Sequence, residues 1–401
     1  MRALLSPAFA LASLMLAGTS LAEPSALSAE IGSSGLKATE TRLAALPDPA
    51  PPELFALAGV RFLSGVEAAL QLRWQTDLQA DWSELPILRL PIPQNPDARA
   101  FTGADLNTLM SGVDGQMEAA RAALSTLGEQ QFQLEIALKD LWFDINMNGI
   151  RDAGESVAQI AGLTLGLGGF GGTEMVDPAI RFDTADAAWL TAYTHLLSAV
   201  VHVAQAYDPA AAVDRVTKAN EKIAEFHGTT PFNTAFDMMF GNQVDRVAII
   251  LHALASAPDQ ALAASAHAHL LAVIRENRRF WALVEIETDN DHEWIPNDRQ
   301  ASGLGLPVPQ GLGAHWQEVL LDGEKILKGE LLLPHWRYGA EAGIDVAKLF
   351  QEPPAVDLIG MIQGEAFLPY VRKGPQASAQ SWREFERLVM GDSMLFAIFL
   401  N

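Results

Sequence analysis

The chain has 401 residues, with 27 Lys+Arg against 49 Asp+Glu, a formal charge of −22, and no cysteine. At 49% hydrophobic and 19% charged it has enough apolar material for a large core, which excludes wholesale disorder. The lack of thiols removes disulfides, thiolate catalysis, iron–sulfur clusters and Cys-bound zinc, and the charge argues against nucleic-acid partners and anionic lipid. What remains is oxygen and imidazole chemistry, with cations as natural partners.

Residues 1–22 pair one basic residue, Arg2, with an apolar stretch from Ala8 to Leu16 and the small-residue run Ser20-Leu21-Ala22. This is the pattern of a secretory signal cleaved after Ala22. Export to the periplasm or beyond is therefore expected. Without Arg2, 26 basic residues face 49 acidic ones, a charge of −23. No later stretch is expected to span a membrane, so the mature protein should be soluble. Residues 23–53, rich in Ala, Ser and Pro and closed by Pro47, Pro49, Pro51 and Pro52, read as a leader with at most one short helix. Residues 54–401 read as a single large helical domain, with a subdivision allowed near 173–183.

Within that domain, Leu57, Val60, Leu63, Ala68, Leu70 and Leu72 recur at helical spacing up to Thr76. Four prolines in 84–96 bar a long helix there. Thr102 and Asp105 form a capping-box-like opening for a helix to Leu127. A second helix is expected over 129–143 from Phe132, Leu134, Ile136, Leu138 and Leu141, packed antiparallel to the first across Gly128. The glycine-rich stretch 162–172 reads as a short strand or tight loop. Helices follow over 185–206, 210–226, 234–256, 258–283, 310–328 and 378–400, with an irregular acidic region at 284–310. The fold class is mainly α: an irregular multi-helix bundle with small non-helical inserts.

The sharpest chemical pattern is the twelve-residue run 144–155. Counting Asp144 as position one, oxygen side chains fall at one (Asp144), three (Asn146), five (Asn148), nine (Asp152) and twelve (Glu155), with Gly149 at six. Calcium takes six to eight hard oxygens at about 2.3–2.6 Å, and alternating side chains reach one centre only if the chain turns sharply at the sixth residue. The run resembles the EF-hand calcium loop, in the unpaired, dockerin-like or bacterial extracellular form, because no second loop of this kind follows. The resemblance covers this loop and the expected entering helix. It implies one Ca²⁺ held by Asp144, Asn146, Asn148, the main-chain carbonyl of Ile150, Asp152 and Glu155, the last through both oxygens. Arg151 at position eight and Ser156 at thirteen depart from that family's hydrophobic preferences. Three carboxylates imply weak binding, about 10⁻⁴–10⁻³ M, and a structural role.

Other groups point less sharply. The segment 285–298 gathers Glu285, Glu287, Asp289, Asp291, His292, Glu293 and Asp298, a solvated loop, a second cation site or a carboxylate acid/base pair. His195 and His202 share a helix face, whereas His267 and His269 do not. Neither pair comes with a zinc-protease motif, and no nucleophile elbow is present. The nine tryptophans and the run His335-Trp336-Arg337-Tyr338 either pack or line a ligand lip. Two functions stay open: an exported, calcium-stabilised, non-catalytic binding or scaffold component, and a secreted hydrolase using carboxylates or histidine of 285–298 or His335. Convergence of Asp289, Asp291, His292, Trp294 and 335–338 on one concavity would favour the second.

Overall fold

The structure is a computed structural model and describes residues 25–76, 78, 92–157, 178–227, 235–305, 307–391 and 393–400. The expectations for 1–22, for most of the proline-rich stretch 84–96 and for the glycine-rich stretch 162–172 lie outside the described residues. The fold is mainly α, 61% helical, with two small two-stranded sheets among the described residues.

Helix α1 (Ala26–Ala44) begins at Ser25, whose hydroxyl accepts from the Ser28 N–H and donates to the carbonyl of Glu135. A kink at Gly35, with φ of 76° and ψ of 174°, divides it. A Cβ at that position would lie 3.0 Å from the Trp142 ring, so both the backbone angle and the close approach call for glycine. The stretch expected as a leader thus places Ile31, Leu36 and Leu43 in the core. Helix α2 (Pro51–Gln75) uses its prolines in the first turn, where a missing N–H costs nothing. Helix α3 (Gly103–Leu127) has the expected Thr102–Asp105 capping box and ends at Gly128, with φ of 61°.

Beyond Gly128 the structure departs from the expected helix. Residues 133–137 form strand β1 (Gln133–Ala137), followed by a single 3-10 turn at Leu138–Asp140. β1 pairs antiparallel with β2 (Ala179–Asp183) in the register Gln133↔Asp183 to Ala137↔Ala179. Phe132, Leu134 and Ile136 are buried. Their spacing of two is the period of a strand face, and it prevails over the looser helical stripe because β2 supplies the ladder partners.

The last residue of β2, Asp183, is also the N-cap of α4 (Thr184–Ala206), with Asp186 completing a capping box. Helices α5 (Pro209–His227), α6 (Ala235–Leu254), α7 (Gln260–Val284) and α8 (Leu312–Leu327) follow. The C-terminal part holds β3 (Ala342–Ile344), α9 (Val346–Gln351), α10 (Leu358–Gln363), β4 (Val371–Lys373), α11 (Gln380–Leu388) and α12 (Ser393–Leu400). β3 and β4 pair antiparallel. The helix expected over 378–400 is interrupted at Met390 and Gly391, both at positive φ.

The centre of the molecule is the pair α4 and α7, flanked by α3, which also packs on α2, with α1 laid against α2. Helix α4 is long and apolar enough to cross a membrane by composition, against the expectation that no later stretch would be, and half of that stretch is buried inside the protein. An aromatic cluster of Phe182, Trp189, Trp294 and Phe399 ties β2, α4, the acidic segment and α12 together. Trp316 and Trp382 both pack on Phe385. These tryptophans are core, whereas Trp336 lies at the surface, 75% exposed.

Candidate metal site

The loop 144–155 is closed at its base by an antiparallel pairing. Trp142 bridges Ser156, the Phe143 N–H donates to the Glu155 carbonyl at 2.9 Å, and the Val157 N–H donates to the Leu141 carbonyl at 2.9 Å. The element entering the loop is therefore a strand and a 3-10 turn, not the helix that the EF-hand resemblance implies. Ile145, fully buried, anchors the loop in the core.

Inside that base the predicted ligand residues turn toward one another. Glu155 is fully buried, and its two oxygens accept from the N–H of Ile145 at 2.9 Å and of Asp152 at 2.7 Å, spanning the loop. Asp144 Oδ2 accepts from the Gly149 N–H at 3.0 Å. Asn146 Oδ1 accepts from the Asn148 N–H and Asn148 Oδ1 from the Ile150 N–H, at 3.1 and 2.7 Å. Both amide nitrogens donate to Asp152 Oδ2, at 2.7 and 2.8 Å. Gly149, at φ of 73°, makes the sharp turn. Each carboxylate or amide oxygen engaged by a main-chain N–H retains a further lone pair for a cation. Asp144 Oδ1 is buried with no hydrogen-bond partner, an orphaned oxygen that a hard cation would satisfy. Ile150 is 66% exposed.

The floor of the loop is α2. Glu67 Oε2 accepts from the Asp144 N–H at 2.9 Å, and Gln71 Nε2 donates to the Asp144 carbonyl at 2.9 Å. Gln75 Nε2 contacts Met147 Sδ. Burial pushes the Glu67 carboxyl up to about 7; the hydrogen bond from Asp144 opposes this, and the charges of Asp144 and Glu155 add to it. Glu67 and Gln71 lie far from the loop in sequence, and no spacing rule connects them to it. Among the described residues no three Asp, Glu, His or Cys side chains converge as a ready-made metal group. The loop's predicted donor set is half amide and main-chain oxygen, with only three carboxyl side chains, Asp144, Asp152 and Glu155.

The acidic segment is built differently. Asp291 pairs with Arg181 and with His292 Nδ1, and its N–H donates to Glu293 Oε1 at 2.9 Å. Glu287 Oε2 accepts from Gln300 Nε2 at 3.2 Å. Asp183, Asp186, Glu287, Asp289 and Glu293 act electrostatically on one another around the start of α4. Burial first, then this repulsion, raises Asp183 and Glu293, raises Asp186 well above the carboxylate range, and pushes Glu287 up to about 7. A depression of about 290 Å³ beside the segment is lined by Pro296, Gln300, Ala301, Ser302, Gly305 and Val308, none of them titratable.

Residues 335–338 face elsewhere. His335 meets the Met361 carbonyl and Trp336 the Ile362 carbonyl, both at 3.1 Å, and the Tyr338 hydroxyl donates to the Gly364 carbonyl. Their polar edges close over α10, away from the partners of Asp291 and His292. The histidines do meet: His195 and His202 on α4 both touch the His269 ring of α7, at centroid distances of 5.0 and 5.1 Å. His267, on another face, meets the Leu327 carbonyl and stacks on Phe350. The sequence matches no protein family and no curated protein, and the fold matches no solved structure.

Proposed function

We propose that this is an exported, periplasmic or secreted, calcium-binding protein without catalytic activity, in which one Ca²⁺ at 144–155 stabilises the docking of the loop onto the helical core. The observation that carries the reading is the loop's internal wiring: Glu155 buried across its mouth, Asn146 and Asn148 both bonded to Asp152, and Asp144 Oδ1 left without a partner. Bound calcium would supply charge neutralisation and a common centre for these oxygens. The protein would serve as a binding or scaffold component. The sequence of residues 1–22 supports export, and the chain's charge of −22 supports cations over nucleic acid or anionic lipid as partners.

The hydrolase alternative loses support from the geometry. It would be favoured by convergence of Asp289, Asp291, His292, Trp294 and residues 335–338 on one concavity. Trp294 instead packs against Phe182, Trp189 and Phe399, and residues 335–338 are engaged by 361–364. Isothermal titration of metal-stripped full-length protein with calcium tests the proposal. One site with a dissociation constant of about 10⁻⁴–10⁻³ M is expected, and absence of bound metal at tens of millimolar calcium overturns it.

A further inference from the structure

An EF-hand loop takes its shape from helices on either side, and this loop is entered by a strand and a 3-10 turn. Something else must aim its first ligand. Position one sets the geometry of the rest, because the Asp144 carboxylate bonds the turn residue Gly149 with one oxygen and leaves the other, buried and unpartnered, for the ion. The main chain of Asp144 is gripped from outside the loop at both of its polar groups. Its N–H donates to Glu67 Oε2 and its carbonyl accepts from Gln71 Nε2, each at 2.9 Å. Glu67 and Gln71 are four residues apart on α2 and so lie on one helix face. Glu67 is only 8% exposed, so water competes little for the hydrogen bond that its oxygen accepts.

Resting on the calcium reading above, we propose that Glu67 and Gln71 are positioning residues of the ion site, so that one turn of α2 replaces the absent entering helix and makes calcium affinity depend on the docking of the loop on α2. Neither side chain is assigned as a ligand; both act through the backbone of Asp144. Groups that orient metal ligands from outside characteristically alter affinity by about 10–100-fold when removed. The coupling is reciprocal: a loop clamped on α2 binds calcium better, and bound calcium holds that part of α2 in place.

The test is calcium titration of the full chain and of Glu67→Ala, Glu67→Gln and Gln71→Ala, with far-ultraviolet circular dichroism to verify folding. Glu67→Ala and Gln71→Ala should each raise the dissociation constant about tenfold or more. Glu67→Gln, which keeps an acceptor for the Asp144 N–H, should stay within about threefold of wild type, a rescue that a general loss of packing would not give. Unchanged affinity in folded Glu67→Ala and Gln71→Ala overturns the inference while leaving the calcium reading intact. Failure of the wild type to bind overturns both. Should the alanine variants fail to fold, hydrogen exchange of the wild type decides: calcium should slow exchange of the Asp144 amide and of α2 amides around 67–71, and equal exchange with and without calcium overturns the inference.

Discussion

The Nδ1 atoms of His195 on α4 and His269 on α7 lie 2.7 Å apart, hydrogen-bonded across the seam between the two central helices. One ring donates and the other accepts, so at least one must be neutral. Arg121 of α3 lies close by, donating to the Thr194 carbonyl and Ser198 Oγ. Asp114 of α3 holds His202 at 3.0 Å. Burial, then Arg121, then the facing ring of His269 and Arg275 lower His195 to about 3; burial, Arg121 and His202 lower His269.

Both folded-state values lie below that of a free imidazole, so the native state binds fewer protons than the unfolded one. The stability these rings contribute is present above about pH 6.5 and is lost as pH falls. His195→Leu leaves the partly buried His269 Nδ1 without its partner, which costs about 1 kcal/mol. Thermal melts at pH 7.5 should show a lower midpoint for His195→Leu. The double variant with His269→Leu should be less destabilised than the sum of the singles, with a coupling of about 1 kcal/mol. Additive losses would remove the hydrogen bond from the account of this seam.

Glu287 has the opposite sign. Its carboxyl is raised to about 7, above its unfolded value, so its favourable contribution is complete below about pH 4.5 and disappears as pH rises through 7. Glu287→Gln should therefore raise the melting midpoint by about 1–3 °C at pH 8 and change it little at pH 5. Scanning calorimetry at the two pH values checks this. An equal effect at both pH values would mean that ionising a buried Glu287 beside Asp183, Glu293 and Asp289 is not the cause.

Calcium at 10 mM, about 100 times a dissociation constant of 10⁻⁴ M, should add about 2.7 kcal/mol of stability. A midpoint rise of about 3 °C is expected, reversed by chelator. Glu155→Gln removes one of the two oxygens closing the mouth of the loop and should abolish the gain. Magnesium, which demands tighter octahedral geometry, should give a smaller rise. A melting curve indifferent to calcium and chelator would rule out a structural ion.

Gly35 adopts a φ of 76° where a Cβ would press on Trp142. Gly35→Ala should cost about 1–3 kcal/mol from backbone strain alone. A urea melt showing a lower midpoint with unchanged slope is the expected result. No loss would mean that the kink in α1 relaxes freely, and that Trp142 does not fix the docking of α1 on the base of the loop.

Most helices were legible because their signals are local. Thr102 with Asp105 announces α3 through bonds that close within one turn. The turn at Gly149 was legible for the same reason, because it and the five oxygen residues around it lie within twelve consecutive positions. Strand β1 was misread because Phe132, Leu134, Ile136 and Leu138 satisfy a period of two as well as a broad helical stripe. Its ladder partner, Ile180 opposite Ile136, is too distant in sequence to register in a local pattern.

By itself the sequence determined a mainly helical, strongly acidic chain with one twelve-residue run of oxygen side chains around Gly149, since helix hydrogen bonds and the turn at that glycine are made between near neighbours. Tertiary structure alone decided that α1 belongs to the core, that residues 133–137 extend, that His195 meets His269, and that Glu67 and Gln71 hold Asp144. Each of these joins groups whose favourable contact exists only after distant segments have been brought together, so no short stretch of residues encodes it.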